Sequence, residues 1–134
     1  MSVLDHAREE FSLESSPPAL SHYTDAVRWG DVLFISGCVA LDETGQVVAP
    51  GDAGAQARVV HQHLAAALNA AGTDFAHVLK VTVFLTDVND RQAVNEVRKE
   101  FFGDSLPAST LVEISALVVP GLVVEIEAIA GIPA

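Results

Sequence analysis

An apolar stripe at helical spacing constrains this chain more than any other feature of its sequence. The stripe runs through residues 53 to 71, follows Pro50-Gly51-Asp52 and ends at Gly72. Its apolar positions on one helix face are Val60, Leu64, Ala67, Leu68 and Ala71. A helix with one apolar face is stable only when that face packs on another layer, so the pattern predicts a layered fold.

A second helical pattern covers residues 91 to 102 and ends at Gly103. The run of β-branched residues from 78 to 85 comes just before it and predicts a strand. The inward positions of the second helix are Ala93, Val94, Val97 and Phe101. Each helix therefore follows a separate extended segment, which favours a sheet covered on one face by both helices.

The other extended segments are short and are separated by turn residues. They are residues 26–29, 32–36, 46–48, 107–114 and 122–129. The first two flank Gly30-Asp31 and read as a hairpin. The sequence thus predicts an α+β fold with a mixed β-sheet.

The polar start of the chain differs from the rest. Residues 1 to 18 end in Ser15-Ser16-Pro17-Pro18, which breaks regular structure and predicts a flexible or capping N-terminal arm. The folded part is expected to begin near Leu20. The 134 residues, half of them hydrophobic, are enough for one core, so residues 19 to 134 are predicted to form a single domain.

Charge and cysteine content limit the partners and the compartment. The formal net charge of −11 has the wrong sign for binding nucleic acid. Cys38 is the single cysteine, and the acidic N-terminus lacks the pattern of a secretory signal, which predicts a cytoplasmic protein. No apolar run reaches the roughly 20 residues that span a bilayer, so no membrane partner is expected. With only 19% charged residues, the chain is expected to bury apolar surface in an oligomer.

Common catalytic motifs are absent from the sequence. It has no GxGxxG, Walker, GxSxG or HExxH pattern. His61 and His63 are two residues apart, which places them on different helix faces and argues against a metal site. One of these histidines is expected to be solvated and the other half-buried.

Four motifs in order resemble the Rid/YjgF/L-PSP family. They are Phe34-Ile35-Ser36-Gly37, Val81-Thr82-Val83-Phe84-Leu85-Thr86-Asp87 with Asn95-Glu96-Val97, Pro107-Ala108-Ser109-Thr110 with Val112-Glu113, and Val124-Glu125-Ile126-Glu127-Ala128-Ile129-Ala130. Each motif alone is weak, but the ordered set extends from about residue 17 to the end of the chain. The chain is therefore identified as a member of this family.

The resemblance implies a chorismate-mutase-like fold, a homotrimeric barrel with clefts between subunits, and a small-molecule substrate. Active members hydrolyse imines and enamines to carbonyl compounds and ammonia without a metal or organic cofactor. By the same resemblance Tyr23, Ser36 and Asn95 surround the cleft, and Glu125 holds the attacking water. Glu127 is expected to point the other way.

The chain departs from the family pattern after Pro107-Ala108. Ser109, next to Thr110, stands where imino-acid deaminases carry an arginine that clamps the substrate carboxylate. Losing that contact is expected to cost several kcal/mol of binding, at roughly 1.5–3 kcal/mol per hydrogen bond to a charged group. The departure favours a larger enamine of the 2-aminomuconate type over 2-aminoacrylate. The alternative is a binding protein for small metabolites without catalysis. A ribonuclease activity conflicts with the acidic charge.

Two further residues of the predicted cleft are unusual for the family. Cys38 stands where an amide is common, and it is either a nucleophile or a small apolar wall residue. The lack of a clear basic partner favours the wall residue. His22, before Tyr23, is either a donor to a substrate carboxylate or a surface loop residue.

Overall fold

The computed structural model describes residues 7–134, which form one six-stranded sheet and two α-helices. The elements are β1 (Arg8–Phe11), β2 (Ala26–Trp29), β3 (Val32–Val39), α1 (Ala53–Ala70), β4 (Val78–Leu85), α2 (Arg91–Phe102), β5 (Ala108–Glu113) and β6 (Val124–Gly131). Both helices and the strands from β2 onward lie where the sequence patterns predicted them. Residues 46 to 48 form only an isolated bridge, Leu41 to Val47.

The sheet is mixed, with the strand order β1-β2-β3-β6-β4-β5. Only β4 and β5 are parallel, because α2 connects them and returns the chain to the same end of the sheet. Helix α1 packs on β3, β6 and α2, and all share one hydrophobic core. The predicted α+β architecture, with a mixed sheet and both helices on one face, is confirmed.

The two faces of the sheet differ sharply in burial. On β6, Val124, Ile126 and Ala128 are buried under the helices, as the period of two in a strand requires. The opposite face has no covering layer among residues 7–134, and it leaves Phe34 49% exposed and Val112 39% exposed. One face of the sheet therefore belongs to the core and the other presents large apolar side chains.

Strand β1 corrects the expected start of the folded part. It lies in the segment predicted as an arm and pairs antiparallel with β2, Arg8 opposite Trp29. The sheet therefore begins before Leu20, and the arm caps its edge. The edge strand carries exposed polar residues, so no apolar alternation marked it in the sequence. Residues 1 to 6 of the predicted arm lie outside the described residues.

Buried Gln56 on α1 fixes the entry to β6. Its Nε2 donates to the carbonyl oxygens of Ala49 at 3.1 Å and Gly121 at 2.8 Å. Its Oε1 accepts from the backbone N–H of Val123 at 2.9 Å. A buried amide with both ends satisfied holds this loop rigidly and so sets where β6 starts.

The histidines of α1 match expectation only in part: His63 is half-buried as expected, but His61 is buried and not solvated. His61 is fully buried among Phe75, Phe101 and Phe102, and its Nδ1 lies 2.7 Å from the carbonyl oxygen of Ala57. Burial lowers the pKa of His61. Half-buried His63 binds the carbonyl oxygen of Leu41 through Nε2 at 3.0 Å. The apolar stripe of α1 did not predict the burial of His61 because α2 packs on a further part of the α1 surface.

Within residues 7–134, no helix combines the length and hydrophobicity needed to cross a bilayer.

Candidate active site

A bulge in β3 creates the centre of the site. Ile35 pairs with Ala128 and Cys38 with Ile126, so β3 contains one more residue than β6 between these pairs. The extra residue falls at Ser36-Gly37. A Cβ added to Gly37 would lie 2.8 Å from Cδ and 3.0 Å from Oε2 of Glu125, closer than real Cβ contacts. Glycine is therefore the residue that lets the Glu125 carboxylate lie against this strand.

Glu125 is a half-buried carboxylate with a raised pKa. Burial is the larger cause, and the negative charge of Glu127 is the second. No group within residues 7–134 donates a hydrogen bond to the Glu125 carboxylate. Its oxygens are thus available to a water molecule or a substrate.

Glu127 lies on the same face of β6 as Glu125, which corrects the expectation that it points the other way. Residues that are two apart in a strand lie on the same face of the sheet. Ile126, between the two glutamates, is buried on the opposite face. Both glutamates line one cleft. Because like charges repel, this placement contributes to the raised pKa of Glu125.

An open cleft of about 310 Å³ lies over Glu125. Its lining includes Leu20, Ser21, Tyr23, Ser36, Gly37, Val39, Val118, Glu125 and Glu127. The structure thus brings together Tyr23, Ser36 and Glu125, the three residues predicted as catalytic from the resemblance. The volume suits a small metabolite.

The two hydroxyl groups of the cleft are held differently. Ser36 Oγ donates its proton to the carbonyl oxygen of Thr24 at 2.6 Å, so towards a ligand the Ser36 hydroxyl can act only as an acceptor. The Tyr23 side chain is 49% exposed, and from residues 7–134 its oxygen accepts a single long contact of 3.5 Å, from the backbone N–H of Leu20. The Tyr23 O–H therefore keeps its proton available for a ligand.

Cys38 lies behind this cleft, in the wall of a small cavity shared with Tyr23 and Ser36. Its Sγ lies 3.5 Å from the carbonyl oxygen of Ser36. Burial, followed by the charges of Asp25 and Glu125, raises the pKa of the Cys38 thiol to about 12. A protonated thiol is a poor nucleophile, and this environment favours a wall residue.

Two other predicted residues lie away from the Glu125 cleft. His22 is exposed and is not part of the lining of that cleft. Thr110 Oγ1 accepts from Lys80 Nζ at 2.6 Å on the uncovered face of the sheet. Their predicted roles in substrate binding stay predictions.

A second cleft, of about 320 Å³, lies between α2 and the turn before β5. Asn95 and Arg98 line it, and Arg98 donates from Nη2 to Ser109 Oγ at 3.1 Å and from Nη1 to Asn95 Oδ1 at 3.4 Å. Asn95 and Ser109, both predicted, thus meet through Arg98, which the sequence reasoning missed. The available signal was its place three residues after Asn95 on one helix face.

The two clefts of one chain cannot share a small ligand. Ser109 pairs with buried Val81 on the helix face, whereas Glu125 pairs with Phe84 on the uncovered face. Strands β5 and β6 are also two strand spacings apart, about 10 Å across the sheet.

The Glu125 cleft has the groups that water addition to a C=N bond requires. A carboxylate with a raised pKa can orient a water molecule and take its proton. Tyr23 can donate, and Ser36 can accept, at the other end of a bound ligand. No three His, Cys, Asp or Glu side chains in the described part of the chain cluster as metal ligands.

Comparison with known families and proteins gives consistent matches. Residues 13–132 match the family model described as endoribonuclease L-PSP. A 2-iminobutanoate/2-iminopropanoate deaminase of Mus musculus is 41% identical over 92% of this chain and 90% of its own length.

Solved structures share the fold over nearly the whole chain. A protein of the conserved Rid family from Yersinia pestis, YyfA, has a TM-score of 0.88 and 34% identity, covering 94% of this chain and all of its own. TdcF of E. coli, solved with bound serine, has a TM-score of 0.85 and 32% identity, with 93% and 99% covered.

Proposed function

The chain belongs to the L-PSP family, also called Rid/YjgF, and on that premise we propose that it hydrolyses a reactive imine or enamine to a carbonyl compound and ammonia. The observation that carries the proposal is Glu125, a half-buried carboxylate with a raised pKa, placed against Gly37 in an open cleft. The relatives named as imine deaminases support the same reaction class.

Glu125 acts on water in this mechanism. The substrate reacts as the protonated imine. The Glu125 carboxylate accepts a proton as the water oxygen bonds to the imine carbon, and the C=N bond becomes a C–N single bond. The carboxyl group returns that proton to nitrogen. The remaining hydroxyl proton then passes to the carboxylate as the C=O bond forms, the C–N bond breaks, and ammonia leaves with the bonding electron pair. An enamine substrate first takes a proton on carbon to become the imine.

The hydroxyl groups hold the reacting atoms in place. Tyr23 donates to the substrate, and Ser36 accepts from the water or the imine N–H, since its own proton is used on Thr24. Cys38 forms part of the wall and does not attack, because its thiol is protonated.

The size of the substrate is the finer part of the proposal. Ser109 is much smaller than an arginine and lies beside the cleft at α2. Because Ser109 supplies no arginine of its own to clamp a small imino acid, we favour a larger enamine of the 2-aminomuconate type over 2-aminoacrylate. His22 and Thr110 contribute at the rim of the assembled site.

The working site is shared between subunits of a homotrimer. Two observations support this: the uncovered sheet face presents apolar side chains such as Phe34, and the two clefts of one chain are on opposite faces. Packing three uncovered faces together would bury that apolar surface and bring one chain's β5 edge near the next chain's Glu125. Sedimentation should give three times the chain mass of 14.1 kDa. A monomer at micromolar concentration would contradict the shared site.

Ammonia release tests the function directly. The purified protein is supplied with freshly generated 2-aminoacrylate, with 2-iminobutanoate and with 2-aminomuconate, and release is compared with the uncatalysed rate. Acceleration of any of the three supports the deaminase, and the order of kcat/KM gives the size preference. Tight binding without acceleration of any would instead favour the non-catalytic metabolite-binding protein.

A further inference from the structure

Arg98 is a half-buried arginine that pairs with no carboxylate among residues 7–134. Other cations of the chain do have such partners: Arg58 binds Glu100 at 2.8 Å, and Lys99 binds Glu96 at 3.1 Å. Acidic residues outnumber basic ones eighteen to seven. An arginine left without one of these many carboxylates retains the capacity to bind an anion from outside the chain.

Neutral oxygen atoms orient this guanidinium. Ser109 Oγ accepts from one terminal nitrogen at 3.1 Å and Asn95 Oδ1 from the other at 3.4 Å. These contacts fix the plane of the group without neutralising its charge. A guanidinium has five N–H donors, so the remaining ones stay available for a planar acceptor such as a carboxylate.

The surroundings of Arg98 fit a small anionic ligand. Gln92 and Lys99 also line the cleft of about 320 Å³, and their amide and ammonium groups both donate to Glu96 Oε1, which leaves Arg98 as the lining cation without a carboxylate partner in the described part of the chain. Phe102 and Leu106 supply apolar walls, and Leu106 is 89% exposed. The cleft lies beside β5, which is an edge strand and can meet another subunit.

We propose that Arg98, oriented by Ser109 and Asn95, binds the carboxylate of the substrate. This inference rests on the proposed deaminase function and narrows it to imines and enamines that carry a carboxylate. Position 109 then serves to hold an arginine from α2 instead of supplying one. Because the Arg98 cleft and the Glu125 cleft of one chain face opposite sides of the sheet, one subunit binds the carboxylate while its neighbour's Glu125 activates water.

Binding of a product-like acid tests Arg98 without requiring turnover. Titration with pyruvate, and with uncharged pyruvamide, is followed by ligand-observed NMR for the wild type and for Arg98→Met, Arg98→Lys and Arg91→Met. Arg91 lies on the same helix and is exposed, so its variant is a matched control for the loss of one positive charge. Circular dichroism establishes that each variant is folded.

The proposal predicts a specific pattern. Arg98→Met weakens pyruvate binding at least about tenfold, since a charge-assisted bidentate contact is lost, and leaves pyruvamide unchanged. The pyruvate affinity of Arg98→Lys should lie between those of the wild type and Arg98→Met. The affinity of Arg91→Met should stay within about twofold of the wild type, because the exposed charge of Arg91 is screened by salt. If Arg98→Met does not fold, Ser109→Ala serves, with a several-fold loss of pyruvate binding expected.

Two results would overturn the role of Arg98. One is equal binding of pyruvate and pyruvamide by the wild type; the other is unchanged pyruvate affinity in the folded Arg98→Met or Ser109→Ala variant. Both leave the deaminase reaction standing if ammonia is still released. Conversely, Arg98-dependent pyruvate binding in a protein that releases no ammonia would support the anion site and reject the proposed function.

Discussion

Gly37 and Glu125 occupy adjoining space so tightly that a methyl group on Gly37 would lie 2.8 Å from Glu125 Cδ. The contact depends on the bulge in β3 and on the face of β6 that Glu125 shares with Glu127. Backbone shape on one strand thereby sets the position of a reactive carboxylate on the next.

Replacing Gly37 with alanine should displace the Glu125 carboxylate and leave the fold intact. The added methyl group meets the end of a flexible side chain, which can move, so thermal stability should change little. Misplacing a catalytic group by about 1 Å lowers kcat by roughly ten- to a hundredfold. Steady-state ammonia release measures the effect. Gly131→Ala is the control, because its new Cβ would have no atom closer than 3.8 Å and its rate should match the wild type.

Removing the charge of Glu127 should shift the pH profile of catalysis. The ionised Glu127 raises the pKa of Glu125, so Glu127→Gln should lower that pKa. The acid limb of the kcat profile, where Glu125 loses its proton, should therefore move to lower pH. An acid limb that stays in place in Glu127→Gln would show that another group titrates there.

His61 should make the protein less stable in acid. Burial lowers the folded pKa of His61, so below its unfolded value of about 6.5 the unfolded chain binds the proton preferentially. The contribution of His61 to the free energy of unfolding should therefore be constant above that pH. It should decrease as the pH falls towards the pKa of His61 in the folded protein. Urea titrations from pH 7.5 to 5 should show a shallower decline for His61→Leu. His22→Gln, at an exposed site, should keep the wild-type decline.

Cys38 should be chemically inert in the folded protein. With a thiol pKa of about 12, little thiolate exists at pH 8, and alkylation by iodoacetamide should be more than about a hundredfold slower than in urea. Cys38→Ala should retain most of the ammonia release. Rapid labelling of the native protein, or loss of activity in Cys38→Ala, would restore the nucleophile hypothesis.

Sequence patterns predicted the layered architecture because burial on one face leaves a regular trace. The stripe of α1 and the β-branched run of β4 are such traces, and both elements lie where predicted. Strand β1 left no trace, since an edge strand of exposed residues needs no alternation. His61 is buried by Phe101 and Phe102 of a second helix, a contact that a single-helix pattern does not contain.

The candidate site was predictable only in part for the same reason. Resemblance grouped Tyr23, Ser36 and Glu125, and the structure places all three around one cleft. Arg98 was missed because its importance arises from a contact between α2 and β5, made across eleven residues of sequence. The strand period of two places Glu127 on the same face of β6 as Glu125. The prediction that Glu127 points the other way was wrong because it ignored this period.

The reaction catalysed at Glu125 is the central claim, and a paired comparison of the two neighbouring glutamates tests it most directly. Release of ammonia from freshly generated 2-aminoacrylate and 2-aminomuconate is measured for the wild type, Glu125→Gln and Glu127→Gln at one pH, with oligomeric state checked for each. Glu125→Gln should lower kcat on the preferred substrate at least about a hundredfold, because the proton acceptor is lost. Glu127→Gln should keep kcat within a few-fold of the wild type. Equal activity of Glu125→Gln and the wild type would contradict the account.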